Sequence, residues 1–103
     1  MIEKRWVLIS PPLACADAIR LEGAGEDGVN GDYCPDGTEN GHPVWTRVGG
    51  TRLADSIYWA GDGMNPEEWW ITLGGVTKYV SVHPSEPPAS WIVASGAPPA
   101  PTY

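Results

Sequence analysis

An all-β single domain, an antiparallel β-sandwich or small barrel built from hairpins with little helix, is the fold this sequence predicts, and three observations carry it. Apolar residues seldom recur at helical spacing. Short strand-compatible runs recur instead, punctuated by Gly, Pro, Asn and Asp clusters. Two Gly-Gly pairs, Gly49-Gly50 and Gly74-Gly75, each separate two such runs, and paired glycines adopt the positive φ that tight hairpin turns demand. With 103 residues the chain is sized for one domain around one core.

Strands are expected at residues 5–9, 18–22, 32–34, 43–48, 52–60, 69–73, 76–82 and 90–94. Residues 1–18 form an N-terminal arm or first strand, and residues 19–103 form the β module. In the arm, Trp6 and Leu8 share one face and Val7 and Ile9 the other, so a lone strand leaves an apolar row in water. That pattern suits a strand with one face on its own domain and the other on a neighbouring subunit, which makes Trp6, Val7, Leu8 and Ile9 candidate partner contacts. An ordinary first strand buried within the monomer explains it equally.

Between residues 29 and 45, Asn30-Gly31, Asp36-Gly37 and Asn40-Gly41 offer three places for the backbone to reverse. Two short strands joined by a compact acidic loop are the expectation there. Hairpins are expected at both Gly-Gly pairs. Around the second, Trp69, Ile71 and Leu73 alternate with Trp70 and Thr72, and Val76, Val80 and Val82 with Thr77, Tyr79 and Ser81, the pattern of strands with one face inside. Asn65-Pro66-Glu67-Glu68 carries an N-cap residue, a proline and first-turn acids, which predicts one helical turn before Trp69. From Pro84 onward the chain is proline-rich, hence extended or turn-like.

Charge and composition exclude several roles. The formal net charge is -7, and residues 17–39 hold Asp17, Glu22, Glu26, Asp27, Asp32, Asp36 and Glu39 against Arg20 alone. Such a surface repels phosphate backbones, so nucleic acid is not an expected partner. The longest apolar run, Trp6-Val7-Leu8-Ile9, is far below the roughly 18 residues of a membrane span, and below the h-region of a secretory signal. No membrane partner is expected. Cys15 and Cys34 show no metal-binding spacing; they permit one disulfide tying the N-terminal segment to the domain, or two idle thiols in a reducing compartment.

The order "LEGAGEDGVNGDYCPDGTENGHPVWTR", "IYW", "WWITLGGVTKYVS", "PPASW" and "GAPPAP" resembles a small Gly/Trp-rich β module of bacteriophage and bacterial surface and structural proteins. The matching steps fall at Gly23 to Gly25, Asn30 to Tyr33, Gly37 to Trp45, Ile57 to Trp59, Trp69 to Thr72, Tyr79 to Ser81, Trp91 and Pro99 to Pro101. The likeness spans residues 19–101; Trp69 with Ile71 fits the Trp-x-Ile step and leaves Trp70 without a counterpart. The resemblance implies a β-rich accessory or binding module and a virion context, with no catalytic residues to carry over.

Six Trp and no Phe is an unusual aromatic choice. Trp45, Trp69 and Trp70, with Trp59 and Trp91 beside them, could stack on sugars. Alternatively Trp59, Trp91 and one of Trp69 and Trp70 fill a small core while the other of that pair faces outward. Asp32, Asp36, Glu39 and Asn40 in one loop, and Asp62, Asn65, Glu67 and Glu68 in another, are calcium-type ligands without EF-hand spacing, and turn formation accounts for them. No metal or cofactor is expected. His42 and His83 each precede a proline as loop residues, and no nucleophile or zinc motif accompanies them.

The function expected from the sequence is therefore a non-enzymatic structural component of a phage particle, a capsid decoration or tail-associated subunit. It would touch other virion subunits in a symmetric assembly, in virions assembled in the host cytoplasm. The alternative is a carbohydrate-binding module exposed on a virion or cell surface, with a glycan as partner.

Overall fold

The computed structural model describes residues 12–61, 67–82, 86–88 and 90–103. Seven strands, β1 (Ile19–Leu21), β2 (Gly31–Glu39), β3 (His42–Arg47), β4 (Ser56–Trp59), β5 (Trp69–Leu73), β6 (Val76–Ser81) and β7 (Ile92–Val93), form one antiparallel sheet in chain order. The sheet curls into a half-barrel, the all-β single domain that the sequence predicts. The one helical element among the described residues is the 3-10 turn Asp27–Val29. The expected strand at residues 5–9, with the contact candidates Trp6, Val7, Leu8 and Ile9, lies outside the described residues.

Two β-bulges help to curl the sheet, because an extra residue on one strand bends it and increases its twist. In the β2–β3 ladder the register shifts between Pro35 and Thr38, where Asp36 and Gly37 bulge and Gly37 adopts φ +80. Asp36-Gly37 is thus a bulge inside one nine-residue strand, and the expected acidic loop is absent. The reversal is made by Asn40-Gly41 alone, whose φ values of 54 and 82 are those of a two-residue hairpin turn. The second shift, between Ile71 and Thr72, leaves Lys78 as the extra residue of β6.

This second bulge reverses the expected facing of β6. Ser81 pairs with Trp69 and Tyr79 with Ile71, so Tyr79 and Ser81 are buried inside while Val76 and Val82 stand 50% and 74% exposed. A one-residue slip moves every subsequent side chain to the other face. Val80 and Val82 therefore belong to the outer surface, while Val76, opposite Leu73 ahead of the bulge, is exposed at the hairpin end.

Of the two Gly-Gly connections, Gly74-Gly75 is the tight hairpin, with φ of 61 and 82 and Leu73 opposite Val76. Gly49-Gly50 is part of a longer loop: β3 stops at Arg47, and β4 begins only at Ser56. Residues 52–55, expected as strand, belong to that loop. Asp55 holds it by accepting the Thr51 N–H at 2.8 Å and the Gly74 N–H at 2.9 Å, and Ser56 Oγ accepts the Leu53 N–H at 2.8 Å. Ahead of β5, Glu67 and Glu68 form a bend, and Asn65 and Pro66 of the expected helical turn lie outside the described residues.

The concave face carries the core: Ile19 and Leu21 of β1, Tyr33, Trp45, Ile57, Trp69, Ile71 and Tyr79 of the following strands, and Trp91 before β7. Tyr33 buries its ring and donates its hydroxyl to Val29 O at 2.6 Å, and burial pushes the Tyr33 pKa up. The proline-rich C-terminal segment then crosses back to β1. Glu22 and Thr102 exchange two backbone hydrogen bonds at 2.8 and 2.9 Å, and the Gly25 N–H donates to Pro99 O at 2.9 Å. A Cβ on Gly25 would lie 2.1 Å from Pro98 O, so a side chain there would push this segment away. Tyr79 anchors the crossing by donating to Ala97 O at 2.5 Å and accepting from the Glu26 N–H at 3.1 Å.

Candidate functional site

Directly opposed residues of antiparallel strands share a face, so the register of β4 to β7 defines an outer row. Tyr58 stands opposite Trp70, Trp70 opposite Val80, and Val80 opposite Ile92. Val82, two residues beyond Val80, extends the row. Tyr58 and Trp70 are half-buried and meet edge to face, 5.9 Å between centroids at 70°. Trp70 Nε1 donates to Glu68 Oε2 at 2.8 Å, which satisfies the indole without hiding its ring. Ile92 is 62% exposed, and a small depression of about 170 Å³ lies between Val80, Val82, Ser90 and Ile92. The row presents apolar and aromatic surface on a chain whose net charge is -7.

The tryptophans divide between the two faces. Trp69 and Trp45 are 1% and 9% exposed, with centroids 6.0 Å apart, so neither offers a stacking face to a sugar. These two glycan candidates are corrected to core residues: both point to the concave face, where burying an indole gains more than stacking it in solvent. Trp59 packs against the core and Trp91 is buried, its Nε1 donating to the Tyr103 hydroxyl at 3.0 Å. Trp70 alone of the three candidates faces outward.

The acidic residues are engaged elsewhere in the fold. Asp32 receives the Arg20 guanidinium bidentately at 2.6 and 3.0 Å and the Ala14 N–H at 2.8 Å. The guanidinium is the larger cause that holds the Asp32 carboxyl below the usual carboxylate range. Asp36 accepts from Thr46 Oγ1, Arg52 approaches Asp36 and Glu39, and Asn40 donates to Trp59 O at 2.9 Å. Among the described residues no group of three or more His, Cys, Asp or Glu side chains is placed to hold a metal ion. Asp62 and Asn65 of the second expected loop, and His83, lie outside the described residues.

His42 is not a loop residue but the first residue of β3. Its ring lies 4.9 Å from that of Trp59 and 5.7 Å from that of Trp69, and Nδ1 meets Glu86 Oε2. The pair fastens residue 86 to the edge of the aromatic cluster. Cys15 and Cys34 are joined by a disulfide that ties the segment before β1 to β2.

A second surface feature lies at the opposite end of the sheet, over the β1–β2 hairpin. It is a cleft of about 730 Å³ lined by Ala14, Leu21, Glu22, Gly31, Asp32 and Val48 among others. Neither it nor the outer row was expected from the sequence. The Trp70–Val80 opposition depends on the Lys78 bulge, for which the sequence gives no local signal.

The fold defines a class, an all-β antiparallel meander module with a partly apolar outer row and a cleft of mixed lining. Comparison with protein-family models, with curated proteins and with solved structures finds no match to this chain.

Proposed function

We propose that this chain is a non-enzymatic structural module that works through protein–protein contacts, in a phage particle as a capsid decoration or tail-associated subunit. The observation that carries the contact reading is the outer row Tyr58, Trp70, Val80 and Ile92 with Val82. It is an aromatic and apolar surface on the side of the sheet away from the core. Half-buried aromatics ringed by aliphatic side chains are the composition of protein-contact centres, where truncating a few residues costs most of the affinity. The particle setting rests on the sequence resemblance alone. An antibody against the chain, used to label native particles for electron microscopy, tests it: periodic labelling is the expected outcome, and particles without label overturn the setting.

Carbohydrate binding is the second reading, and one observation favours it. Trp70 keeps its ring on the outer face beside Tyr58, an arrangement that can stack on a sugar. The chain would then stand on a virion or cell surface, where a disulfide such as Cys15–Cys34 persists. A glycan array probed with the full chain and with Trp70→Ala separates the readings, since signal lost with Trp70 supports the second and no signal for the parent chain removes it.

A further inference from the structure

We infer that the cleft over the β1–β2 hairpin receives the N-terminal segment Arg5 to Ile9 of a second copy of this chain. The inference deepens the protein-contact reading above by naming a partner for a different surface. The cleft, at about 730 Å³ and open to solvent, is a shallow surface with room for a few large side chains laid against it. Its apolar side chains are Val48 and Ala14, the fully buried Leu21 lies beneath, and Gly31 leaves part of its floor without a side chain. Val48 is 53% exposed, and Leu13 nearby in sequence to Ala14 is 49% exposed. This is apolar surface in want of cover.

Three features of the chain point to the occupant. First, the described chain begins at the cleft: Pro12 O accepts from Arg20 Nη2 at 3.1 Å, Ala14 N–H donates to Asp32 Oδ2 at 2.8 Å, and Cys15 is bonded to Cys34. The eleven residues before Pro12 are therefore tethered beside it, and they contain Trp6-Val7-Leu8-Ile9, the longest apolar run of the sequence. Second, charge is complementary. With Glu3, Lys4 and Arg5 set aside, the rest of the chain holds 12 acids against 4 bases; on the cleft wall Arg20 is paired with Asp32, which leaves the exposed Glu22 as the net charge there. Lys4 and Arg5 are the cations that precede the apolar run. Third, the connection disfavours return to the same molecule's cleft. Only Ser10 and Pro11 separate Ile9 from the anchored Pro12, and the proline that follows each of them disfavours folded backbone there, so the sequence favours a link that leads away from the tether over one that doubles back within two residues. A segment led away from its own tether is better placed for a neighbour's cleft than for its own, and a neighbour's segment for this one. Such an exchange is reciprocal, as in a two-fold dimer.

The test is made on the full chain by sedimentation at low salt, with far-UV circular dichroism to confirm that each variant is folded. The parent chain should self-associate. Val48→Glu, an exposed change, should weaken association about tenfold or more, as loss of a contact-centre residue does. Glu22→Lys alone and Lys4→Glu/Arg5→Glu alone should each weaken it, while an equimolar mixture of these two variants should associate as a heterodimer. Only exchange between copies produces that rescue, because each variant then supplies the charge the other lacks. A monomeric parent chain overturns the inference. Self-association that survives Val48→Glu, or a mixture no stronger than its separate components, also overturns it and leaves the protein-contact reading to the outer row.

Discussion

Trp69 and Trp70 are neighbours in β5 and belong to different chemistry. Trp69 faces the concave side, 1% exposed, with Trp59 at 5.7 Å and Trp45 at 6.0 Å from its ring. Trp70 faces the convex side, edge to face with Tyr58 and hydrogen-bonded to Glu68. The same residue type, one position apart, is structural in one case and presented in the other, because a strand turns successive side chains to opposite faces. The contrast extends over the sheet. The concave face is filled with aromatic and aliphatic groups from six strands and the segment before β7, whereas the convex face mixes fastened polar pairs, such as Arg20–Asp32, with the partly exposed row of Trp70, Val80 and Ile92.

The largest expected effect tests the concave side of that contrast. Trp69→Ala should destabilise the domain by about 3–5 kcal/mol, since it opens a cavity among Trp45, Trp59 and Ile71 that the curved sheet cannot close by local repacking. Chemical denaturation followed by circular dichroism measures it. A loss below about 1 kcal/mol would mean that the core does not centre on Trp69.

Next in size is the covalent tie on the convex side. The disulfide closes a loop with a sequence separation of 19, for which loop entropy gives about 3 kcal/mol of stabilisation. Reducing it, or replacing both Cys15 and Cys34 by Ala, should lower the denaturation midpoint by a corresponding amount. The segment 12–18 should also gain amide exchange, while the Glu22–Thr102 pairing stays protected.

How much of this was legible in the sequence follows from where the information is stored. The bounds of β5 and the Gly74-Gly75 turn are readable because both depend on adjacent residues: period-two alternation, and two glycines with positive φ. Gly49-Gly50 looks identical but closes no tight hairpin, because Asp55 and Ser56 capture the chain into a longer loop through hydrogen bonds that include one to Gly74. Asp36-Gly37 reads as a turn and is a bulge, since positive φ serves either purpose and the partner strand decides between them. The facing of β6 was illegible for the same reason: a single extra residue at Lys78 turns Val80 and Val82 outward and Tyr79 inward. Because the candidate row depends on that bulge, the site was less readable than the fold. Cysteine spacing left both a disulfide and free thiols open and leaned to free thiols, as pairing depends on the approach of β2 to the segment before β1.

Acid should loosen the convex face and the β3–β4 loop at their polar fastenings. Hydrogen bonds from Gly74 N–H and then Thr51 N–H depress the Asp55 pKa, and the Arg20 guanidinium depresses that of Asp32. Carboxylates with folded pKa values below the unfolded reference near 3.9 contribute stability that is complete above that reference and is lost as pH falls through the folded values. Stability should thus be level with respect to these groups from about pH 5 upward and fall below about pH 4. Asp55→Asn should flatten part of that acid limb, and an unchanged limb would show that Asp55 is not among the groups being titrated.

Trp70→Ala should have the smallest effect on stability and so gives the sharpest comparison with Trp69→Ala. The ring is half-buried, which makes its transfer contribution roughly half of the 1.5–3 kcal/mol of a fully buried large side chain, about 1 kcal/mol. Its loss frees the Glu68 carboxylate, which the solvent can hydrate, so no buried polar group is stranded. Tyr58 and Val80 remain opposite the truncated position and keep the strand pairing. The variant should therefore fold with nearly the parent's cooperativity while losing its contact with any partner seated on the outer row, by tenfold or more if Trp70 is central to that contact. Measuring stability and partner binding on the same pair of variants separates the roles. Trp69→Ala should damage both together, and Trp70→Ala should damage binding far out of proportion to folding. Equal damage from the two would mean that the convex row stabilises the fold, and the distinction between a filled face and a presented one would fail at this strand.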